Sequence, residues 1–327
     1  MQSSSRMALS DTLLELTRSL IGEPQFTPTD VAARAGVDLD LARRFWRAMG
    51  FPPTADDERT FAQSDIDVLR VAYQLSERGV ADPGLQLQIT RVAGQALARI
   101  AEAQVTAALE SKPLATLLDA DFASIPTFTP TVLPMLELFL TYTWRRHLLA
   151  AASRQAAAAS EATEGSKQVT VGFADMVGFT GISQNLSERE LAAFVDRFEA
   201  LVYDHVPERG GRVIKMIGDE VMFAVDDVGA VAEIAFGLVT AHSDRPLPPL
   251  RVGLALGPVL VWQGDLFGST VNLASRLVNA ARPGTILVSE ETAGQLQNTP
   301  DLTLRPIRGI ELKGIGRLKV FALRRSG

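Results

Sequence analysis

Two aspartates lie where this sequence is best suited to hold metal ions. The stretch 169–180, VTVGFADMVGFT, opens with β-branched and alternating apolar residues, which is typical of a buried strand, and it places Asp175 just before a glycine-containing turn. Asp219 follows Gly218 between two apolar runs, as in a two-residue hairpin turn. Aspartates at adjacent strand ends can share two metal ions, which is the arrangement that two-metal phosphoryl chemistry needs. An aspartate at such a position is more often a turn residue than a metal ligand, so the metal-site interpretation depends on the downstream motifs.

Three further residues suit phosphate chemistry. Asn272 and Arg276 are four residues apart, so on a helix they project from one face, where an arginine beside an amide donor can stabilise charge on a phosphoryl group. Lys313 lies in the glycine-flanked stretch 311–316 and is suited to holding phosphates as a point charge. The alternative for all three is an ordinary solvated side chain.

The elements around these residues alternate between helix and strand. Ser187 and Glu190 form a capping-box pattern that predicts a helix over 187–203. The other predicted elements are helices at 228–240 and 270–281 and strands at 250–256, 259–262 and 285–289. With the tight hairpin at Asp219, this order indicates an α+β domain with a ferredoxin-like βαββαβ core and additions.

The first 150 residues are predicted to be almost wholly helical. The stretch 27–49 predicts two short helices, the first capped by Thr29 or Asp30 and ended by Gly36. With the Phe-Pro-Pro that follows, it resembles the opening of a MerR-type DNA-binding domain, in which Arg43, Arg44 and Arg47 would contact DNA. Residues 1–150 hold 14 Lys/Arg against 18 Asp/Glu, a balance of −4, which lacks the basic surface that phosphate binding requires. We therefore expect no nucleic-acid partner.

Two long amphipathic stretches, 85–110 and 133–158, predict packing or dimer helices. An Ala/Ser/Gln/Glu segment of high helix propensity follows the second stretch. We therefore divide the chain into an all-helical regulatory domain at 1–150, a helical connector at 151–166 and a catalytic domain at 167–327.

The composition excludes several classes of protein. The 327 residues suffice for two domains, and the net charge of −6 argues against a general affinity for nucleic acid or anionic membrane. The absence of cysteine excludes disulfides, thiolate zinc sites and cysteine nucleophiles. No signal peptide is recognisable at the start and no run of about 18 apolar residues occurs, so we expect a cytoplasmic protein without a membrane partner.

Four motifs across residues 167–325 resemble those of the class III adenylyl cyclase catalytic domain. They are FADMVGFT, KMIGDEVMF, GDLFGSTVNLASR and ELKGIGRLKVF, in the family's order and spacing. Residues 1–150 are similar to the helical regulatory domain of mycobacterial-type cyclases whose activity responds to pH. That second resemblance depends on the pattern of residues 31–49 and on the order of the domains.

The resemblance implies that Asp175 and Asp219 bind two Mg²⁺ or Mn²⁺ ions, which activate the ribose 3′-hydroxyl of ATP for attack on the α-phosphorus. Lys215 and Asp265 are then the residues that read adenine. Lys215 would donate to ring N1 and Asp265 would accept from the exocyclic amine, whereas guanine presents the reverse pattern. The expected products are 3′,5′-cyclic AMP and pyrophosphate.

At the matching positions, Asn272 would orient the ribose, Arg276 would stabilise the transition state and Lys313 would hold the terminal phosphates. In this family the metal aspartates come from one subunit and the other functional residues from its partner. The chain carries both sets, so the resemblance implies a homodimer with two equivalent interfacial sites.

Three alternatives stay open at this point: a guanylyl cyclase, a degenerate nucleotide-binding module, and a DNA-binding regulator fused to a cyclase domain. For control, we expect the helical domain to restrain the cyclase domain and to release it on acidification through residues 133–166. His147 is the only histidine in the first 150 residues and is the candidate regulatory residue, because histidine changes charge between about pH 5 and 8.

Overall fold

The computed structural model describes residues 15, 17–110, 125–161, 168–240, 247–307, 311–312 and 316–326. The chain divides into two compact units, Met1–Ala157 and Ala158–Gly327. Within the described ranges, every helix is too short or too polar to cross a bilayer.

The N-terminal unit is helical, as predicted. Its helices are α1 Pro28–Ala35, α2 Leu39–Met49, α3 Gln63–Glu77 and α4 Pro83–Glu110, and the long helix α5 runs over Ile125–Glu161. The first three helices enclose a small core whose buried members include Val31, Phe45, Trp46, Ile66 and Leu69. This core is built from one apolar face of each short helix, as the spacing of apolar residues predicts.

The start of α1 corrects the predicted cap. Thr27 is the N-cap: its hydroxyl accepts from the backbone N–H of Asp30 at 3.2 Å, and the Asp30 carboxylate accepts from the backbone N–H of Thr27 at 3.1 Å. The prediction of Thr29 or Asp30 as the cap was wrong because Pro28, which needs no N–H partner and has a helical φ, already occupies the first helical position. Gly36 ends the helix in the left-handed conformation, with φ of 76°, as predicted.

The C-terminal unit is an α+β domain, as predicted. Its strands are β1 Gln168–Met176, β2 Arg212–Ile217, β3 Glu220–Val225, β4 Leu250–Pro258, β5 Leu260–Trp262, β6 Asp265–Phe267, β7 Ile286–Ser289, β8 Leu302–Ile307, β9 Glu311–Leu312, β10 Gly316–Arg317 and β11 Val320–Arg325. Its helices are α6 Phe179–Ser183, α7 Glu188–His205, α8 Val228–Thr240, α9 Ser269–Ala280 and α10 Glu290–Leu296. The Ser187–Glu190 capping box is present at the start of α7, as predicted.

The main sheet has the order β2-β3-β1-β4-β7-β11-β8. Strand β1 lies between β3 and β4 and is antiparallel to both, and β2 pairs outside β3. These four strands with α7 and α8 form the ferredoxin-like βαββαβ core. Strands β7, β11 and β8 extend it, beginning with a parallel pairing of β4 and β7.

Helices cover both faces of this sheet. Alternate residues of β1 face opposite sides: Ala174 and Met176 pack in one core with α7 and α8, whereas Val171 and Phe173 pack in a second core with α9. Gly253 on β4 allows α9 to approach the sheet closely. A Cβ at that position would lie 2.2 Å from the Val278 backbone nitrogen and 2.5 Å from the Ala274 carbonyl oxygen.

The close approach of α9 to Gly253 predicts that two glycine substitutions have opposite effects on stability. Gly253→Ala is expected to lower the free energy of unfolding by about 1–3 kcal/mol, because the added methyl group overlaps the backbone of α9. Gly294→Ala on α10 is the matched control: nothing lies within 4 Å of its Cβ position, so better helix propensity should add about 0.5–1 kcal/mol. Urea unfolding of the full chain measures both, and equal effects would contradict the close approach of α9.

Candidate active site

Asp175 is the penultimate residue of β1 and is 9% exposed. The register of the sheet places Glu220 of β3 directly opposite it on one side and Arg251 of β4 on the other. Arg251 Nε donates to Asp175 Oδ2 at 2.6 Å. The backbone N–H of Met176 donates to the Asp219 carbonyl oxygen at 3.1 Å, which fixes the β2–β3 turn beside the end of β1. The structure therefore brings the two predicted aspartates to one edge of the core.

Negative charge at this edge exceeds its positive charge. Burial raises the pKa of Asp175; the hydrogen bond and charge of Arg251 oppose that rise, and the charge of Asp219 adds to it. The pKa of Glu220 is raised to about 7, first by burial and then by the charges of Asp175 and Asp219. One guanidinium faces three carboxyl groups, so the site favours an additional cation.

The donor set fits a hard divalent cation. Asp175 and Asp219 supply carboxylate oxygens, which are the ligands that Mg²⁺ prefers. Among the described residues there is no group of three or more His, Cys, Asp or Glu side chains arranged to hold a metal. A site with two protein carboxylates agrees with the usual Mg²⁺ pattern, in which one or two carboxylates act together with water and substrate phosphates.

Lys215 and Asp265 also meet, although 50 positions separate them. Lys215 Nζ lies 2.5 Å from Asp265 Oδ2, and the side chains are 39% and 28% exposed. Two local features of the backbone bring these two side chains together. The register of β2 against β3 shifts between Val213 and Lys215, and the β5–β6 turn has positive φ at both Gln263 and Gly264. The structure thus holds a half-buried donor and acceptor side by side.

Asn272 and Arg276 lie on α9, exposed and four residues apart as predicted. Asn272 lines an open cavity of about 590 Å³ together with Gln168, the first residue of β1. Asp175 is seven residues further along that strand, a separation of roughly 23 Å at about 3.3 Å per residue. Within one chain, the structure therefore does not bring Asn272 to the two aspartates.

Lys313 lies outside the described residues. His147 lies on α5 in the N-terminal unit, where it is exposed. Its regulatory role stays a prediction.

The DNA-contact alternative gains no support from the N-terminal unit. Arg43 is paired with Asp56 at 2.5 Å and lies 3.6 Å from Asp40. A guanidinium held by two carboxylates is less available to a phosphate. The absence of a nucleic-acid partner stays a prediction.

Sequence reasoning missed two residues of the site, Arg251 and Glu220. A signal for Arg251 was present: it is the only charged residue in the apolar run 250–256, and a charge in a buried strand needs a partner. Glu220 follows Asp219 within a recognised motif, but only the register of β3 against β1 shows that it faces Asp175.

Comparison with protein families matches both parts of the chain. The adenylate and guanylate cyclase catalytic domain family matches residues 161–325. The adenylate cyclase regulatory domain family matches residues 3–148.

Two relatives match most of the chain. An adenylate cyclase of Streptomyces coelicolor is 40% identical over 295 residues, which cover 88% of this chain and 76% of that protein. A pH-sensitive adenylate cyclase of Mycobacterium tuberculosis is 32% identical over 340 residues, covering 98% and 83% of the two chains. Among solved structures, the adenylyl cyclase CyaB from P. aeruginosa is 25% identical, covers 50% of this chain and 96% of that chain, and has a TM-score of 0.45.

Proposed function

This chain belongs to the adenylate and guanylate cyclase family, and from that premise we propose that it converts ATP to 3′,5′-cyclic AMP and pyrophosphate at the interface of a homodimer. The observation that carries the proposal is the meeting of Asp175 and Asp219 at one edge of the core, where negative charge is in excess. Relatives that are 40% identical are adenylate cyclases, which favours ATP as the substrate.

Each of the site residues has its own role in this reaction. Asp175 and Asp219 hold two divalent cations, which when bound activate the ribose 3′-hydroxyl and neutralise the triphosphate. Asn272 orients the ribose. Arg276 stabilises the charge that develops on the transferring phosphoryl group, because a guanidinium presents several donors in a fixed plane. Lys313 holds the terminal phosphates.

The Lys215–Asp265 pair supports the choice of adenine. Lys215 donates to ring N1, and Asp265 accepts from the exocyclic amine. The two side chains pair with each other at 2.5 Å, so each half-buried charge has a partner. Guanine offers a donor where Lys215 needs an acceptor and an acceptor where Asp265 needs a donor.

Two observations support an active site shared between two copies. Asn272 and Asp175 lie near opposite ends of β1, so one copy does not unite them around a nucleotide. The β5–β6 hairpin also exposes apolar side chains beside the purine-reading Asp265; they are Leu260, Val261, Trp262 and Phe267, between 45% and 60% exposed. A cluster of this kind is typical of a surface that a partner covers.

Control by the N-terminal unit is the third part of the proposal. The match of residues 3–148 to a regulatory-domain family supports it, and the similarity to a pH-sensitive cyclase favours protons as the signal. We propose that residues 1–150 restrain the catalytic domain and release it on acidification through residues 133–166. His147 is the candidate sensor because it is the histidine of this region.

The first prediction concerns substrate choice. The kcat/KM for ATP should exceed that for GTP by at least about five- to a hundredfold, because losing one paired contact costs about 1–3 kcal/mol. Lys215→Gln should reduce this preference, whereas Lys319→Gln, whose side chain pairs with Glu290 on the surface, should leave it unchanged. Equal turnover of ATP and GTP by the unaltered chain would refute the assignment of Lys215 and Asp265.

The second prediction concerns shared sites. Asp175→Ala and Arg276→Ala proteins should each be nearly inactive, and mixing them should restore cyclic AMP production, because a heterodimer contains one site with both halves intact. A mixture of Asp175→Ala with Asp219→Ala is the control and should stay inactive, because every site then lacks a metal ligand. Failure of the first mixture, with subunit exchange demonstrated by labelled chains, would contradict an interfacial site.

The third prediction concerns pH. The full chain and a chain lacking residues 1–164 are compared across roughly pH 5.5 to 8, at protein concentrations that give equal fractions of dimer. The full chain should be more active on the acid side, and the shortened chain should lose this dependence. Identical profiles would show that residues 1–164 are not the sensor. An unchanged profile in full-length His147→Ala would transfer the role to other groups of the domain.

A further inference from the structure

Thr270 closes the base of the loop that carries Asp265. It is the second residue of α9 and is 5% exposed, and its hydroxyl Oγ1 donates to the carbonyl oxygen of Pro258 at 2.7 Å. Pro258 is the last residue of β4 and lies 12 positions earlier in the chain. The β5–β6 hairpin lies between the two, with Asp265 as the first residue of β6. One hydrogen bond therefore joins the chain just before the hairpin to the chain just after it.

The end of β4 has room for this hydroxyl because Gly257 has no side chain. A Cβ at Gly257 would lie 2.6 Å from Thr270 Oγ1, which is closer than the two atoms can approach. Threonine also has few side-chain rotamers in a helix, because two heavy atoms branch from its Cβ. Both the strand and the helix thus contribute to the position of the hydrogen bond.

The first turn of α9 depends on this bond for its position. The N-cap residue Gly268 supplies no side-chain acceptor for the N–H groups at the start of the helix. The hydroxyl of Thr270 instead attaches this turn to the neighbouring strand. Asn272 lies in the same turn, where its backbone N–H donates to the Gly268 carbonyl oxygen at 3.2 Å. Thr270 therefore stands between the hairpin that carries Asp265 and the residue proposed to orient the ribose.

The hairpin itself has little buried surface. Its side chains Leu260, Val261 and Trp262 are between 49% and 60% exposed, whereas Leu266 is 2% exposed and lies in the core with α9. Segments with few buried apolar contacts open locally at a low free energy. A contact at the base of a loop offsets part of the entropy lost when the loop closes. The bond from Thr270 to Pro258 is therefore expected to limit the movement of Asp265 relative to Asn272.

We propose that Thr270 is a positioning residue that keeps Asp265 and Asn272 in one fixed arrangement, so that adenine and ribose are bound together in the geometry for reaction. This inference rests on the proposed roles of Asp265 and Asn272. Thr270 acts through the hairpin and through the first turn of α9. Its hydroxyl therefore contributes to the choice of ATP over GTP as well as to the rate.

The test compares Thr270→Val with Thr270→Ser in the full chain. Valine has nearly the shape of threonine but cannot donate to Pro258. Thr270→Val should speed amide hydrogen exchange of residues 259–272 about fivefold and lower kcat/KM for ATP about fivefold, which is the scale of one hydrogen bond. It should also reduce the preference for ATP over GTP, because Asp265 is held less firmly. Thr270→Ser keeps the donor and should retain the slow exchange and the preference. Exchange is measured by mass spectrometry.

Thr292→Val is the matched control. Thr292 on α10 is fully buried, and its hydroxyl accepts from the backbone N–H of Leu256 at 2.9 Å, so it also ties a helix to the last part of β4. This bond lies outside the loop that carries Asp265. Thr292→Val should therefore lower the melting temperature and leave both the exchange of residues 259–272 and the ATP preference unchanged. An equal loss of preference in Thr292→Val and Thr270→Val would overturn the proposal, because general destabilisation would then explain it.

Two further variants separate this inference from the proposed function. If Asp265→Ala lowers the ATP preference and Asn272→Ala lowers kcat, but Thr270→Val changes neither the preference nor the exchange, the positioning role is wrong and the proposed function stands. If Asp265→Ala and Asn272→Ala leave preference and rate unchanged, the proposed roles of these residues fail and the inference fails with them. A loss of preference in Thr270→Ser as large as in Thr270→Val would also overturn it, because the donor is still present.

Discussion

The position of β1 between β3 and β4 is the constraint on which the rest of the catalytic unit depends. Antiparallel pairing on both sides buries the strand and leaves Asp175 at its end, 9% exposed. Burial is the largest cause of the raised pKa of Asp175, and the guanidinium opposite lowers that pKa without cancelling the rise. The sheet therefore holds a carboxylate where water solvates it poorly, and a carboxylate in that position is stabilised by a cation.

The same sheet positions the remaining functional groups. The β2–β3 turn places Asp219 beside Asp175, and the register shift in β2 directs Lys215 to Asp265. Helix α9 lies close against β4 because Gly253 has no side chain, and its exposed residues include Asn272. Each chain thus carries a candidate metal pair and a candidate adenine-reading pair. Asn272 lies near the other end of β1 from Asp175, which is the physical reason for proposing a second copy.

Most of the fold could be predicted from the sequence because the signals for its elements are local. The capping box at Ser187, the Gly218-Asp219 turn and the alternation in β1 each specify an element by nearby residues, and all three occur. The cap of α1 was misplaced because Pro28 shifts the helix start. Glu220 and Arg251 were missed since their importance arises from strand register, which joins residues as far apart as 175 and 251 and has no local pattern.

The central claim is that two aspartates of one copy and Asn272 of another bind the same nucleotide. Its most direct test is a crystal structure of the full chain with Mn²⁺ and a non-cyclisable ATP analogue. Anomalous scattering locates Mn²⁺ without reference to the protein. The account predicts manganese peaks on Asp175 and Asp219 of one copy, and it predicts that the second copy contributes Lys215 and Asp265 at the adenine and Asn272 at the ribose. Manganese bound away from both aspartates, or a nucleotide held entirely by one copy, would contradict it.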